Sequence, residues 1–248
     1  MNFYPRAQRS TGGHFGFLAS PPTLARTVAR AAAHCAIIQR IELESSPADP
    51  SLEELLTYSI NWLKDNNFFK ELEEAEQKLV IAPFGTLTKK IIDPYSAYAE
   101  TACIIAWALR CAVIPAFDTD ADAAEIALQL GWLTDAGAQL KTTAHLRDRT
   151  EISQVLDVMS VVHWRLIEHL QRSTKISLQS WSADIYAWPE GVTPVALIHE
   201  DLQLEGKSIM EQSSKQLLSA LRRIHERHRA LLWLLGQARH YSNIITLP

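Results

Sequence analysis

Between Leu217 and Leu235, six residues (Leu217, Leu221, Ile224, His228, Leu231 and Leu235) recur at spacings of four, three, four, three and four. That rhythm belongs to a helix with one face in a core. It constrains the fold more than any other stretch, because the same segment carries a block of charge, His225-Glu226-Arg227-His228-Arg229. His228 falls on the inward stripe, and Arg227 borders it one turn from both Ile224 and Leu231. A guanidinium placed there is expected to run along the packed face toward a carboxylate. Such a pair fixes a fold or serves a site, and the sequence leaves both open.

The rest of the chain is helical in pattern. Thr23 is positioned to cap a helix carrying Leu24, Val28, Ala31, Cys35 and Ile38. Ser51 and Glu54 form a capping-box pattern ahead of Leu55, Leu56, Ser59, Trp62 and Leu63, and Asn66-Asn67 closes that helix. Lys70 to Val80 reads as a short helix holding Glu76 between Leu72 and Leu79. Tyr95 to Ile114 reads as a central helix, apolar on nearly every face except at Glu100. Further helices are expected from Thr119 or Asp120 to Leu130, from Glu151 to Leu170, and from Glu211 to about Ala238. The alternation around Glu205-Gly206 predicts one small β-hairpin or extended excursion near 195–209. The expected class is all-α (mainly α): about seven helices in a single domain, residues 21–248, behind a flexible N-terminal arm, residues 1–20.

Bulk properties narrow the function classes. With 248 residues, 47% of them hydrophobic, the chain can bury a large core without staples. A net charge of −4 gives no overall pull toward nucleic acid or anionic lipid, so no nucleic-acid role is expected. Residues 101–115 form the most apolar stretch, too short to span a bilayer and interrupted by Arg110. Cys35, Cys103 and Cys111 lie in apolar segments and read as core residues of a reducing compartment, so a cytoplasmic protein is expected. Charge is uneven: from Glu42 to Lys78 ten acidic residues face three basic ones, whereas five arginines face Glu226 alone between Ser219 and His240.

Several spaced landmarks together resemble the domain-of-unknown-function 4272 (DUF4272) family of bacterial proteins. They are Trp62-Leu63 with Leu72 and Glu76; Glu100 with Trp107-Ala108-Leu109; Ile152 to Asp157 with His163-Trp164-Arg165; Asp201-Leu202 with Gly206-Lys207; and Glu226 to Leu234. The resemblance runs from about Arg26 to Thr246. It implies a helical fold and, for a family with no assigned activity, no chemistry.

Candidate chemistry is sparse. His225 and His228 are three apart with Glu226 between them, which is not the spacing of a zinc-protease helix, so neither a metal nor a cofactor is expected. Glu100, Asp157, Arg165 and Arg227, from three helices, are ligand or ion-pair candidates, as are Glu226 and His228. Carboxylates held beside arginines stay ionised and make poor general acids, which points to architecture. No nucleophile elbow, phosphate loop or dinucleotide fingerprint occurs. Among the seven tryptophans, Trp164, opposite its helix's apolar stripe, and Trp181 and Trp188, in a loop, are candidates for partner contact. The leading expectation is a non-enzymatic module that binds another protein. The alternative is an enzyme or small-ligand binder with a polar pocket around Glu100, Asp157, Arg165 and Arg227.

Overall fold

The computed structural model describes residues 19–47, 49–179 and 188–246. Its elements in order are α1 (Leu24–Ser45), α2 (Pro50–Asp65), α3 (Glu74–Ile81), α4 (Lys89–Ile92), α5 (Tyr98–Ala108), α6 (Ala123–Gln129), α7 (Asp135–Thr143), α8 (Arg149–Arg172), β1 (Leu197–Ile198), β2 (Asp201–Leu204), β3 (Lys207–Ser208) and α9 (Ser214–Leu234). The protein is mainly α. The excursion expected near 195–209 is a three-stranded antiparallel sheet in the order β1-β2-β3. Of the expected N-terminal arm, residues 1–18 lie outside the described residues; Ala19 donates its backbone N–H to the Gly236 carbonyl at 3.2 Å.

Helix α5 is the centre, as its all-round apolar sequence requires. It packs between α1 and α9, and α9 meets α8 on its other flank, while α2, α3, α6 and α7 gather about α1. From Ala102 to Ala108 no α5 side chain is more than 2% exposed, and Trp107 is fully buried. The helix stops six residues short of the expected end at Ile114. Arg110 adopts a left-handed φ of 61°. Its N–H bonds the Trp107 carbonyl and the Cys111 N–H bonds the Ala106 carbonyl, each at 2.9 Å, the paired closure of a Schellman turn. The apolar residues beyond are not helical; Ile114 is buried through a parallel bridge to Val192.

Other ends follow local chemistry. Thr23 caps α1, as expected. Helix α2 is capped by Asp49 and not by Ser51: its Oδ1 accepts the Ser51 N–H at 2.9 Å, and Pro50 supplies a pre-set φ at the first helical position. The helix expected over 70–80 is divided. A single 3-10 turn covers Phe69–Glu71, and α3 begins at Glu74 behind a capping box of Glu73 and Glu76. Helix α7 was not expected, because it lies beyond Gly131 and itself contains Gly137. That glycine is required: a Cβ there would lie 2.2 Å from the Gly131 carbonyl oxygen, so only a bare backbone lets α7 start against the end of α6. Helix α9 closes at Leu234, with Gly236 at φ 86°, where the pattern had run to Ala238.

Candidate functional site

The buried arginines define the polar interior, and each clamps a loop. Arg227 is fully buried. Its Nε donates to Glu100 Oε2 at 2.7 Å, Nη1 to the carbonyls of Pro115 and Ala116 at 3.0 and 3.1 Å, and Nη2 to the Thr119 carbonyl at 2.7 Å. Glu100 in turn accepts the Ala121 N–H at 2.9 Å, and Arg223 holds Asp120 with its Nε at 2.7 Å. The 115–121 connection is thus fixed onto α5 and α9 by one carboxylate and two guanidinia. Arg165 does the same for the sheet: Nε and Nη2 grip Asp201 at 2.8 and 2.5 Å, Nη1 reaches Glu168, and Nη2 also takes the Thr174 carbonyl. Arg30 grips Glu76 with both terminal nitrogens, at 2.7 and 2.5 Å, and bonds the Glu71 carbonyl.

Glu100, Asp157, Arg165 and Arg227 therefore do not converge on one pocket. Glu100 and Arg227 pair with each other, Arg165 pairs with Asp201 and Glu168, and Asp157 is exposed on α8 with no ion pair to a described residue. Every side-chain nitrogen of Arg227 and Arg165 donates within the fold, and four of the five N–H groups of each are engaged there. Glu226 is buried against Arg229, Thr101 and the Tyr241 hydroxyl.

His228 lies inward, as its place on the stripe demands. Its ring stacks on His163 at 5.3 Å, and His225 meets His163 at 5.7 Å. Burial, with the neighbouring imidazoles next, lowers both His163 and His228 to about 4. His228 Nε2 is 2.9 Å from Ser160 Oγ, which is also 2.7 Å from the Leu156 carbonyl oxygen. Among the described residues no group of three His, Cys, Asp or Glu is placed to hold a metal ion.

Trp164 and Trp188 are half-buried and pack against the core, whereas Trp181 lies outside the described residues. Two cavities of several hundred Å³ are lined by described residues. One, of about 530 Å³, is walled by Arg26, Glu71, Glu73, Arg239 and Ser242. Within it Arg26 Nε bonds Glu71 at 3.0 Å, and Glu73 accepts the Ser242 N–H at 3.2 Å. The other is a groove of about 740 Å³ between the outer face of α2 and the end of α3.

The groove mixes apolar side chains with Glu53, Glu54, Thr57 and Asn61, and its wall is held from below. Helix α2 buries Leu56, Ser59 and Leu63 against α1, which turns Tyr58 outward beside Glu54 and Asn61. Pro83 stops the chain after α3, leaving Ile81, Ala82, Pro83 and Phe84 as the opposite wall. Fully buried Arg40 reaches that wall from α1, donating to the carbonyls of Ala82 and Pro83 at 3.3 and 3.2 Å, with Phe84 stacked over its guanidinium. Glu44 accepts the N–H groups of Gly85 and Leu87. Tyr58 and Ile81 are 54% and 55% exposed, and the lining holds Glu53 and Glu54 but no lysine or arginine. The sequence reading passed over both apolar residues; the available signal was that Tyr58 falls off the inward stripe of α2.

The model of the domain of unknown function DUF4272 matches residues 20–182. The chain belongs to the DUF4272 family. The matched part takes in α1 to α8, and so the whole DUF4272 groove, but ends before the sheet and α9, where the landmarks had suggested an extent to Thr246. No curated protein matches the chain, and no solved structure does either.

Proposed function

We propose that this DUF4272 protein is a non-enzymatic module that binds another protein through the groove between α2 and residues 81–84. The observation that carries the reading is the contrast between its two kinds of unusual residue. Its buried charges are consumed in clamping loops, whereas Tyr58 and Ile81 stand more than half exposed over a preformed groove. Large aromatic and aliphatic side chains left in water beside a concave wall are what a partner's burial would reward. The wall is rigid in advance because Arg40 and Glu44 hold its backbone, which lowers the ordering cost of binding.

The same reading takes residues 21–248 as one domain, supported by a contiguous core whose members run from Val28 to Ile244. It places the module in the cytoplasm, supported by three unpaired cysteines; no helix among the described residues is long and apolar enough to cross a membrane. A photo-crosslinking residue at exposed Asn61, with a control at Leu128 on α6, tests the docking surface in expressing cells. The expected result is an adduct from position 61 that Tyr58→Ser/Ile81→Ser abolishes. Equal adducts from both positions, or adducts indifferent to the serines, would remove the proposal.

A further inference from the structure

We infer that the occupant of this groove is a cationic amphipathic helix of the partner protein, an inference that rests on the docking reading above. Three observations select it. The first is charge: Glu53 and Glu54 border the groove, neither is ion-paired to a described residue, and no lysine or arginine lines the site. A partner bearing lysines or arginines on its flanks would find matching carboxylates, and an acidic one would be repelled.

The second is backbone chemistry. One wall is a helix, whose peptide groups are satisfied internally. The other offers Pro83, which has no N–H, and the carbonyls of Ala82 and Pro83, which Arg40 already occupies. An extended peptide would find no sheet edge here to pair with and would leave its own backbone unsatisfied against apolar side chains. A helix satisfies its own peptide groups and needs only side-chain contacts. The third is length. The α2 wall from Pro50 to Asn61 runs for about 17 Å at 1.5 Å per residue, which accommodates three turns of a partner and apolar anchors at i, i+4 and i+7.

The test uses the full chain and four designed peptides of about 18 residues. All share one leucine stripe; the polar positions are lysine, glutamine or glutamate, and a fourth repeats the lysine version with a central proline. Affinity is read by anisotropy of labelled peptide, and location by amide shifts in isotope-labelled protein. The leucine/lysine peptide should bind at least about tenfold more tightly than the leucine/glutamine one, with shifts along α2 and at 81–84, and the glutamate and proline versions should not bind. Glu53→Gln/Glu54→Gln should erase the preference for lysine and leave the glutamine peptide's affinity unchanged. Tyr58→Ser/Ile81→Ser should weaken both peptides by about tenfold or more.

Equal affinity for the lysine and glutamine peptides, lost in the serine variant, would overturn the cationic partner while leaving the docking surface standing. Equal binding of the proline version would overturn the helical form. Lysine-peptide binding that ignores the serine substitutions would be diffuse attraction to an acidic protein, and it would overturn the docking reading itself, as would failure of every peptide to bind.

Discussion

Replacing Arg227 by alanine removes the clamp with the most partners. The lost contacts are the 2.7 Å bond to Glu100 and the bonds to the carbonyls of Pro115, Ala116 and Thr119. Glu100, only 4% exposed, keeps the Ala121 N–H and has Arg223 Nε 3.8 Å away, so its charge is not wholly abandoned. Breaking a buried pair on one side costs about 3–5 kcal/mol, and the residual partners place this case near about 4 kcal/mol. For a domain of this size, that lowers the unfolding midpoint by roughly 8–16 °C. Arg227→Lys keeps a charge beside Glu100 but cannot reach three carbonyls on a planar fork, so about half the loss should remain. Scanning calorimetry of the parent and both variants reads the series. A midpoint for Arg227→Ala within about 2 °C of the parent, or a lysine variant equal to the parent, would refute the clamp.

Arg165→Ala should free the sheet: amide exchange at 201–208 should accelerate while α1 and α2 stay protected, and uniform acceleration would contradict this local role of the Asp201 pair. Stability should fall on acidification. His163 and His228 are depressed to about 4, so the unfolded chain takes up protons first; their contribution is whole above about pH 6.5 and is lost as the pH falls toward 4. His163→Gln/His228→Gln should flatten that slope in a pH series of melts, and an unchanged slope would refute the assignment. Burial pushes the thiols of Cys35 and Cys103 up to about 12, so a thiol reagent near neutral pH should titrate at most Cys111 in the native protein and all three cysteines after unfolding.

The Glu100–Arg227 pair was legible in the sequence because Glu100 breaks the apolar surface of α5 and Arg227 borders the apolar stripe of α9, and a charge so placed must find its opposite. Arg165 was a candidate for an ion pair as well, but its partner Asp201 was not. Asp201 stands in a short alternating segment that reads as surface hairpin, and only the fold folds it under α8. Asp157 lies on the side of α8 opposite its apolar stripe and faces outward, as its spacing from Ile152, Val155 and Met159 requires. The early end of α5 was hidden because residues 111–114 remain apolar beyond a left-handed Arg110, although of these only Ile114 is buried, through its bridge to Val192, and Val113 is exposed. Helix α7 was hidden by glycines that serve close packing and not a loop. The groove was least legible, since Tyr58 and Ile81 are single apolar residues on outer faces, and only their convergence across two elements distinguishes them from scattered surface hydrophobics.

The central claim divides labour: arginines hold the scaffold, and the groove does the binding. The measurement that tests it most directly is the adduct yield from a crosslinker at Asn61 set against the unfolding midpoint of the same protein, for the parent, Tyr58→Ser/Ile81→Ser and Arg227→Lys, all at a temperature where each is folded. The account predicts that the serine variant loses the adduct at a near-parental midpoint, whereas Arg227→Lys melts earlier and keeps the adduct. Loss of the adduct in Arg227→Lys with its midpoint unchanged, or retention in the serine variant, would contradict it.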